Sequence, residues 1–276
     1  MAMGLISVDI NKCKKDGFCI RECSTAILRL AERTGYPELV PGGEAVCLEC
    51  GHCVAVCPLG ALSHERIPME KSPAIQEALI LNEAQAAQFM RSRRSVRHFQ
   101  NKPVKNEKIQ KLIELARYAP TGGNSQMVEW LVLSDKARIK EIAVLIVNWL
   151  REVVKNPQMA AASPYLSLMV DAWDAGIDTV LRDAPTLVVA MAPKEAMNGL
   201  VDLTIALSYL DLFAPAMGMG TCWAGLLQGA LVNVPAIKQV VGIPEAYPHH
   251  YPLMVGYPAV KFYRLPERRA PKITFA

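Results

Sequence analysis

From Ala74 onward, apolar positions recur at helical intervals. Ile75, Leu79, Phe89 and Met90 stand among Gln, Glu and Ala, which predicts a helix. A second helix is predicted over Glu107–Tyr118, with Ile109, Leu112, Ile113 and Ala116 on one face. Longer helical stretches follow around 136–156 and 200–214. Between them, runs rich in aliphatic and β-branched residues at Val128–Leu133, Thr186–Ala190 and Tyr251–Val255 predict strands. Helices interleaved with strands in this way indicate an α/β or α+β domain built on one sheet. Upstream the pattern is different: short segments punctuated by cysteine. The polar, proline-flanked stretch SHERIPMEKSP (Ser63–Pro73) predicts a linker, so the chain divides into residues 1–66 and 67–276.

One long span, Leu212–Ile237, carries no charge but holds Pro215, Pro235, four glycines, Thr221, Gln228 and Asn233. A buried helix, a turn and a strand fit it better than a membrane helix. The opening MAMGLISVDINK lacks a basic segment followed by an apolar one, so no secretion signal is expected. Hydrophobic residues make up 51% and charged residues 20%, enough apolar material for a core. A net charge of +4 makes no case for nucleic acid.

Seven of the eight cysteines lie before residue 58. A chain of this length with no signal segment points to metal ligation in a reducing cytoplasm rather than to a disulfide framework. Cys47-x-x-Cys50-x-x-Cys53 is a triple on one loop, followed by Cys57 and Pro58. Three thiolates there suit corners of an iron–sulfur cube, whereas zinc takes two separated pairs. Upstream, Cys13, Cys19 and Cys23 follow the pattern Cys-x-x-Asp-x-x-Cys-x-x-x-Cys, with Asp16 at the second position. His52, flanked by cysteines, reads as an exposed loop residue.

The two runs resemble the two-cluster bacterial ferredoxins over roughly residues 4–66. The resemblance implies one cluster on Cys47, Cys50, Cys53 and Cys23. The other would take Cys13, Cys19 and Cys57, with Asp16 as a fourth ligand or as a loop residue without metal contact. The second alternative leaves a three-iron cluster.

Four further stretches carry a second resemblance: RSRRSVRHF (Arg91–Phe99), APTGGNSQ (Ala119–Gln126), GMGTCWAG (Gly218–Gly225) and RLPERRAPKITF (Arg264–Phe275). In this order they resemble the FMN-dependent nitroreductase family over about residues 74–276. The resemblance implies an α+β fold, a mixed sheet flanked by helices, and a homodimer with FMN at the subunit interface. Arg93 and Ser95 would hold the phosphate and ribityl chain, Arg97 would reach the pyrimidine edge, and Arg94 sits beside them. Pro120, Thr121, Gly122 and Asn124 would touch the flavin of the other subunit. Cys222, Trp223, Ala224 and Gly225 would run along the ring, with an amide near Ala224 facing N5. Arg268 and Arg269 would return from the tail to the phosphate. Guanidinium groups suit a phosphate, and glycines allow close backbone approach to a ring. Cys222 reads as a small buried hydrophobe. No side chain stands out as catalytic; Tyr165, Asp171 and Asp174 lie in a substrate-covering segment around 157–180. No Rossmann fingerprint is present.

Together the resemblances imply an oxidoreductase in which a low-potential carrier such as ferredoxin supplies electrons through the clusters to FMN, with NAD(P)H, stacking on the flavin, as another donor. The acceptor would be a small nitroaromatic, quinone or conjugated compound. The alternative is an electron-transfer module of a larger complex with no substrate of its own.

Overall fold

A computed structural model describes residues 4–276; the first three residues, which open the expected 1–66 domain, lie outside the described residues. The chain forms two compact units. The first extends through Ile80 and takes in Gly123–Ser125; the second comprises Leu81–Gly122 and Gln126–Ala276.

The first unit is made of very short elements. Strand β1 (Ile6–Val8) pairs antiparallel with β4 (Leu62–His64), and β2 (Leu28–Leu30) with β3 (Pro37–Leu39). Two one-turn helices, α1 (Phe18–Arg21) and α2 (His52–Ala55), each follow a glycine in the left-handed region, Gly17 at φ 71° and Gly51 at φ 73°. A side chain at either position would be strained, which explains a glycine at the same place in both cysteine runs. A small apolar cluster of Cys19, Ile27, Leu28, Val54 and Leu62 lies between these elements.

The expected linker at 63–73 is corrected here. Ser63 and His64 belong to β4, opposite Ser7 and Ile6, and a 3₁₀ turn follows at Met69–Lys71. The Met69 N–H donates to Ser63 Oγ at 3.0 Å, and Met69 packs on the apolar cluster. The polar composition misled because a strand of three residues has no room to display alternation.

In the second unit, α3 (Glu83–Ser92) starts at a capping box formed by Asn82 and Gln85. The helix expected from Ala74 therefore begins later: Glu77–Leu79 is only a 3₁₀ turn, and Ile75 and Leu79 stay exposed. Helix α4 (Asn106–Ala116) buries Ile109, Leu112 and Ala116. Strands β5 (Glu129–Leu133), β6 (Thr186–Ala192), β7 (Gly220–Trp223) and β8 (His249–Gly256) form a sheet in the order β5-β6-β8-β7. Every ladder in it is antiparallel, which corrects the expected mixed sheet; the parallel pairing is an isolated bridge between Ser95 and Thr221.

Strand β6 is buried at all its positions because both faces are covered. Val188, Ala190 and Ala192 face a core shared with α4 and with α8 (Gly199–Phe213). Leu187, Val189 and Met191 face the opposite core, shared with α5 (Lys136–Lys155), α7 (Tyr165–Asp174) and α9 (Gly225–Asn233). The remaining helices are α6 (Pro157–Ala162) and α10 (Pro235–Val241).

The stretch Gly199–Met217 is long and apolar enough to cross a membrane by length and composition. In the fold it packs Leu203, Leu207 and Leu210 into the core and buries two aspartates, Asp202 and Asp211. The Leu212–Ile237 span breaks into the end of α8, a 3₁₀ turn, β7 and α9.

Candidate functional site

Two cavities in the first unit each gather four expected donor side chains. Cys23, Cys47, Cys50 and Cys53 line one, together with Glu49, His52 and His64. Cys13, Asp16, Cys19 and Cys57 line the other, beside Lys12, Lys14 and Lys15. All eight cysteines are free thiols. Among the described residues no three His, Cys, Asp or Glu side chains converge tightly enough for one ion. Donors spread around a cavity match the corners of a cuboidal cluster better than the single point of a tetrahedral zinc site.

The thiols differ in their electrostatics. Burial pushes Cys53 up to about 11, and the neighbouring Cys50 adds to the rise. Burial also raises Cys47, with Cys50 and Cys23 contributing, and raises Cys19, with Cys57 and Cys13 contributing. At Cys23 burial acts upward, but N–H donors and Thr25 outweigh it and the thiol is lowered. Sulfurs that oppose one another's ionisation need a cationic core to become thiolates together. Ready donors are present: the Ala61 N–H donates to Cys57 Sγ at 3.2 Å and the Glu49 N–H to Cys47 Sγ at 3.5 Å.

Asp16 also has a local task. Its Oδ1 accepts the Phe18 N–H at 3.1 Å, starting α1. His52 is exposed and pairs through Nδ1 with Glu22 Oε1 at 3.0 Å. Asn124 falls in this unit, where its Nδ2 donates to the Leu48 and Glu49 carbonyls, both at 3.0 Å.

In the second unit the arginine-rich stretch lies along β7. Ser95 bridges Thr221, and the Val96 N–H donates to the Thr221 carbonyl at 2.8 Å. Gly220 permits this approach, since a Cβ there would stand 2.3 Å from Val96 Cγ2. Beneath the edge lies Asp211 of α8, 5% exposed. Its Oδ2 faces Arg93 Nη1 at 3.3 Å and accepts from Trp223 Nε1 at 3.0 Å, while Oδ1 accepts from the Thr221 hydroxyl. One buried carboxylate thus fixes two side chains of the expected flavin edge, Arg93 and Trp223, together with Thr221 beside them. Cys222 is buried, and burial pushes its thiol up despite the nearby Arg97 and Arg182. Arg97 is exposed. The Arg94 guanidinium turns back onto the Arg91 and Arg93 carbonyls, at 3.1 and 2.8 Å.

One expectation at this edge changes. The Ala224 N–H donates to the Pro252 carbonyl at 3.0 Å, so that amide is already committed to the sheet. Gly225 opens α9, and a first helical N–H has no intrahelical acceptor.

The loop after α4 is tied down by the same helix α8. The Gly122 N–H donates to Asp202 Oδ1 at 3.0 Å, and the Gln126 N–H donates to Thr121 Oγ1 at 3.0 Å. A Cβ at Gly122 would sit 2.6 Å from Asn198 Nδ2. Pro120 is exposed. Arg268 and Arg269 lie in the exposed, irregular stretch 259–276 and make no ion pair or hydrogen bond among the described residues. In the 157–180 segment, Tyr165 and Asp171 are exposed and Asp174 pairs with Arg151.

Sequence reasoning missed Asp202 and Asp211. The available signal was two carboxylates inside the apolar helical run DLTIALSYLD, where an unpaired charge could not stay. It also missed Arg182, held at φ 60° by a loop whose Val180 and Leu181 N–H groups donate to the buried Asp178.

The nitroreductase family profile matches residues 90–257. An FMN reductase [NAD(P)H] from Bacillus subtilis is 27% identical over 177 residues, spanning 63% of this chain and 67% of that protein. A putative NADH dehydrogenase/NAD(P)H nitroreductase from Archaeoglobus fulgidus is 24% identical over 186 residues, 65% of this chain and 90% of that protein. Among solved structures, an FMN-bound nitroreductase from Bacteroides fragilis superposes with a TM-score of 0.55 at 20% identity, covering 71% of this chain and all of that one.

Proposed function

From the premise that the chain belongs to the nitroreductase family and is an FMN-dependent oxidoreductase, we propose that it takes electrons from a low-potential carrier through two iron–sulfur clusters and delivers them to a small organic acceptor. Nitroaromatics, quinones and conjugated compounds are the acceptor class. The observation that carries the cluster half is the sorting of eight donors into two cavities, four to each. Support for the flavin half is the Arg93–Arg97 stretch laid along β7 and anchored by Asp211. The B. subtilis relative is named for FMN and NAD(P)H, and NAD(P)H is the alternative donor here.

When bound, the clusters supply one-electron transfer and FMN supplies the exchange of single electrons for a hydride pair. The chain's own residues have the following tasks. Cys23, Cys47, Cys50 and Cys53 hold one cluster; Cys13, Cys19 and Cys57 hold the other, with Asp16 as an oxygen ligand. Arg93 and Ser95 bind the phosphate end of the flavin, Arg97 favours negative charge at the pyrimidine edge, and Gly225 rather than Ala224 offers the amide toward N5. Pro120, Thr121, Gly122 and Asn124 meet the flavin of a second subunit in a homodimer, and Arg268 and Arg269 close on the phosphate. Free thiols fit a reducing cytoplasm.

The test is anaerobic stopped-flow reduction of bound FMN. Reduced ferredoxin should reduce it quickly, and a nitroaromatic should reoxidise it within a turnover. Flavin reduction by NAD(P)H alone, with none by ferredoxin, overturns the cluster route. A flavin that ferredoxin reduces but small acceptors leave untouched indicates a module of a larger complex.

A further inference from the structure

His64 is buried, 2% exposed, on strand β4. It is not among the residues that hold either cluster. Its two ring nitrogens have different partners. The Arg66 backbone N–H donates to Nδ1 at 3.1 Å, so Nδ1 is an acceptor and the ring proton sits on Nε2. That Nε2 lies 3.6 Å from Cys47 Sγ. The tautomer fixed on one side of the ring therefore directs a donor at sulfur on the other. Left unmet in this apolar cavity wall, the same N–H would be costly.

We propose that His64 is a tuning residue: its Nε2–H donates to Cys47 Sγ and raises the reduction potential of the cluster held by Cys23, Cys47, Cys50 and Cys53. The inference rests on the cluster reading above. Reduction adds one electron to the core, and the added charge spreads onto the ligand sulfurs. A fixed donor at one of them stabilises the reduced form more than the oxidised form. The second cavity is lined by Asp16 in place of a cysteine and by no histidine. The two clusters are thereby set apart in potential by the protein, with the His64 side the better electron sink. His64 acts through Cys47 and touches no substrate.

The experiment is an EPR-monitored redox titration of anaerobically purified holoprotein at one fixed pH, comparing wild type, His64→Leu and His64→Gln. Leucine keeps bulk without a donor; glutamine restores an N–H within reach. In His64→Leu the reduction equilibrium constant of one cluster should fall about tenfold, equivalent to about 59 mV for one electron. The other cluster should not move, and His64→Gln should recover part of the shift. Equal potentials in wild type and His64→Leu overturn the role of His64, as does an equal shift of both clusters. Should His64→Leu fail to load iron, ¹⁵N-histidine labelling in a His52→Ala background decides: the reduced cluster should couple to one imidazole, and no coupling overturns the proposal. Wild-type protein free of iron and sulfide overturns the cluster reading itself, which separates the two failures.

Discussion

In the first unit the buried apolar cluster is small: Cys19, Ile27, Leu28, Val54 and Leu62, held between strands of three residues. In the second, β6 alone buries seven consecutive positions and feeds a core on each face. Apolar burial at roughly 25 cal/mol per Å² orders the sheet domain without help. The first unit has less apolar burial to draw on, and on the cluster proposal ligand binding would add to its folding free energy. The difference teaches where each half should break: the first when iron is removed, the second when a core side chain is cut.

The largest expected effect lies in the first unit. Cys50→Ala removes a corner ligand and should abolish ferredoxin-driven turnover and deplete iron, while dithionite-driven turnover at the flavin persists. Iron analysis and the two assays check this, and ferredoxin-driven turnover in a folded, iron-depleted variant breaks the contrast. In the second unit, Leu187→Ala at a fully buried position should cost about 2–5 kcal/mol in denaturant unfolding and leave iron content unchanged. A fall in iron there would mean that the two halves do not keep separate accounts.

A smaller effect is a pH dependence in the second unit. His250 is buried on β8, and burial, with Lys238 and His249 adding, lowers it from the ordinary 6.5 to about 4. Above pH 6.5 the ring is neutral in folded and unfolded chains alike, and stability is complete. Between 6.5 and about 4 only the unfolded chain takes the proton, so stability falls as pH falls. At about 1.4 kcal/mol per unit, the loss reaches at most about 3.5 kcal/mol. Unfolding at neutral and acidic pH should show it in wild type and not in His250→Gln.

Asp211→Asn should cost about 1–3 kcal/mol and weaken FMN binding more than riboflavin binding, because Arg93 loses its anchor at the phosphate end. Flavin titrations measure both, and equal loss for the two flavins would make Asp211 purely structural. The smallest effect is His52→Ala: an exposed ring paired with Glu22 should leave iron content unchanged and unfolding within about 0.5 kcal/mol.

The two units were also unequally legible from sequence. Spacing alone singled out the cysteines as candidate ligands, and the fold gathers them around two cavities. Strands β5, β6 and β8 and helices α4, α5 and α8 announced themselves by long periodic runs. What stayed hidden depended on tertiary contact. Ser63 and His64 read as linker because their strand is three residues long and its partner lies at the start of the chain. Ile75 and Leu79 have helical spacing but no surface to pack on, so the cap at Asn82 set the helix start. The Ala224 amide looked available until β8 placed the Pro252 carbonyl opposite it. Asp202 and Asp211 gained meaning only when the loops they hold were brought to α8.

The most direct measurement is iron, acid-labile sulfide and flavin analysis of wild-type protein purified under nitrogen. The account predicts brown protein with roughly seven to eight irons per chain, matching sulfide, and bound FMN. Yellow protein with stoichiometric FMN and neither iron nor sulfide would contradict it.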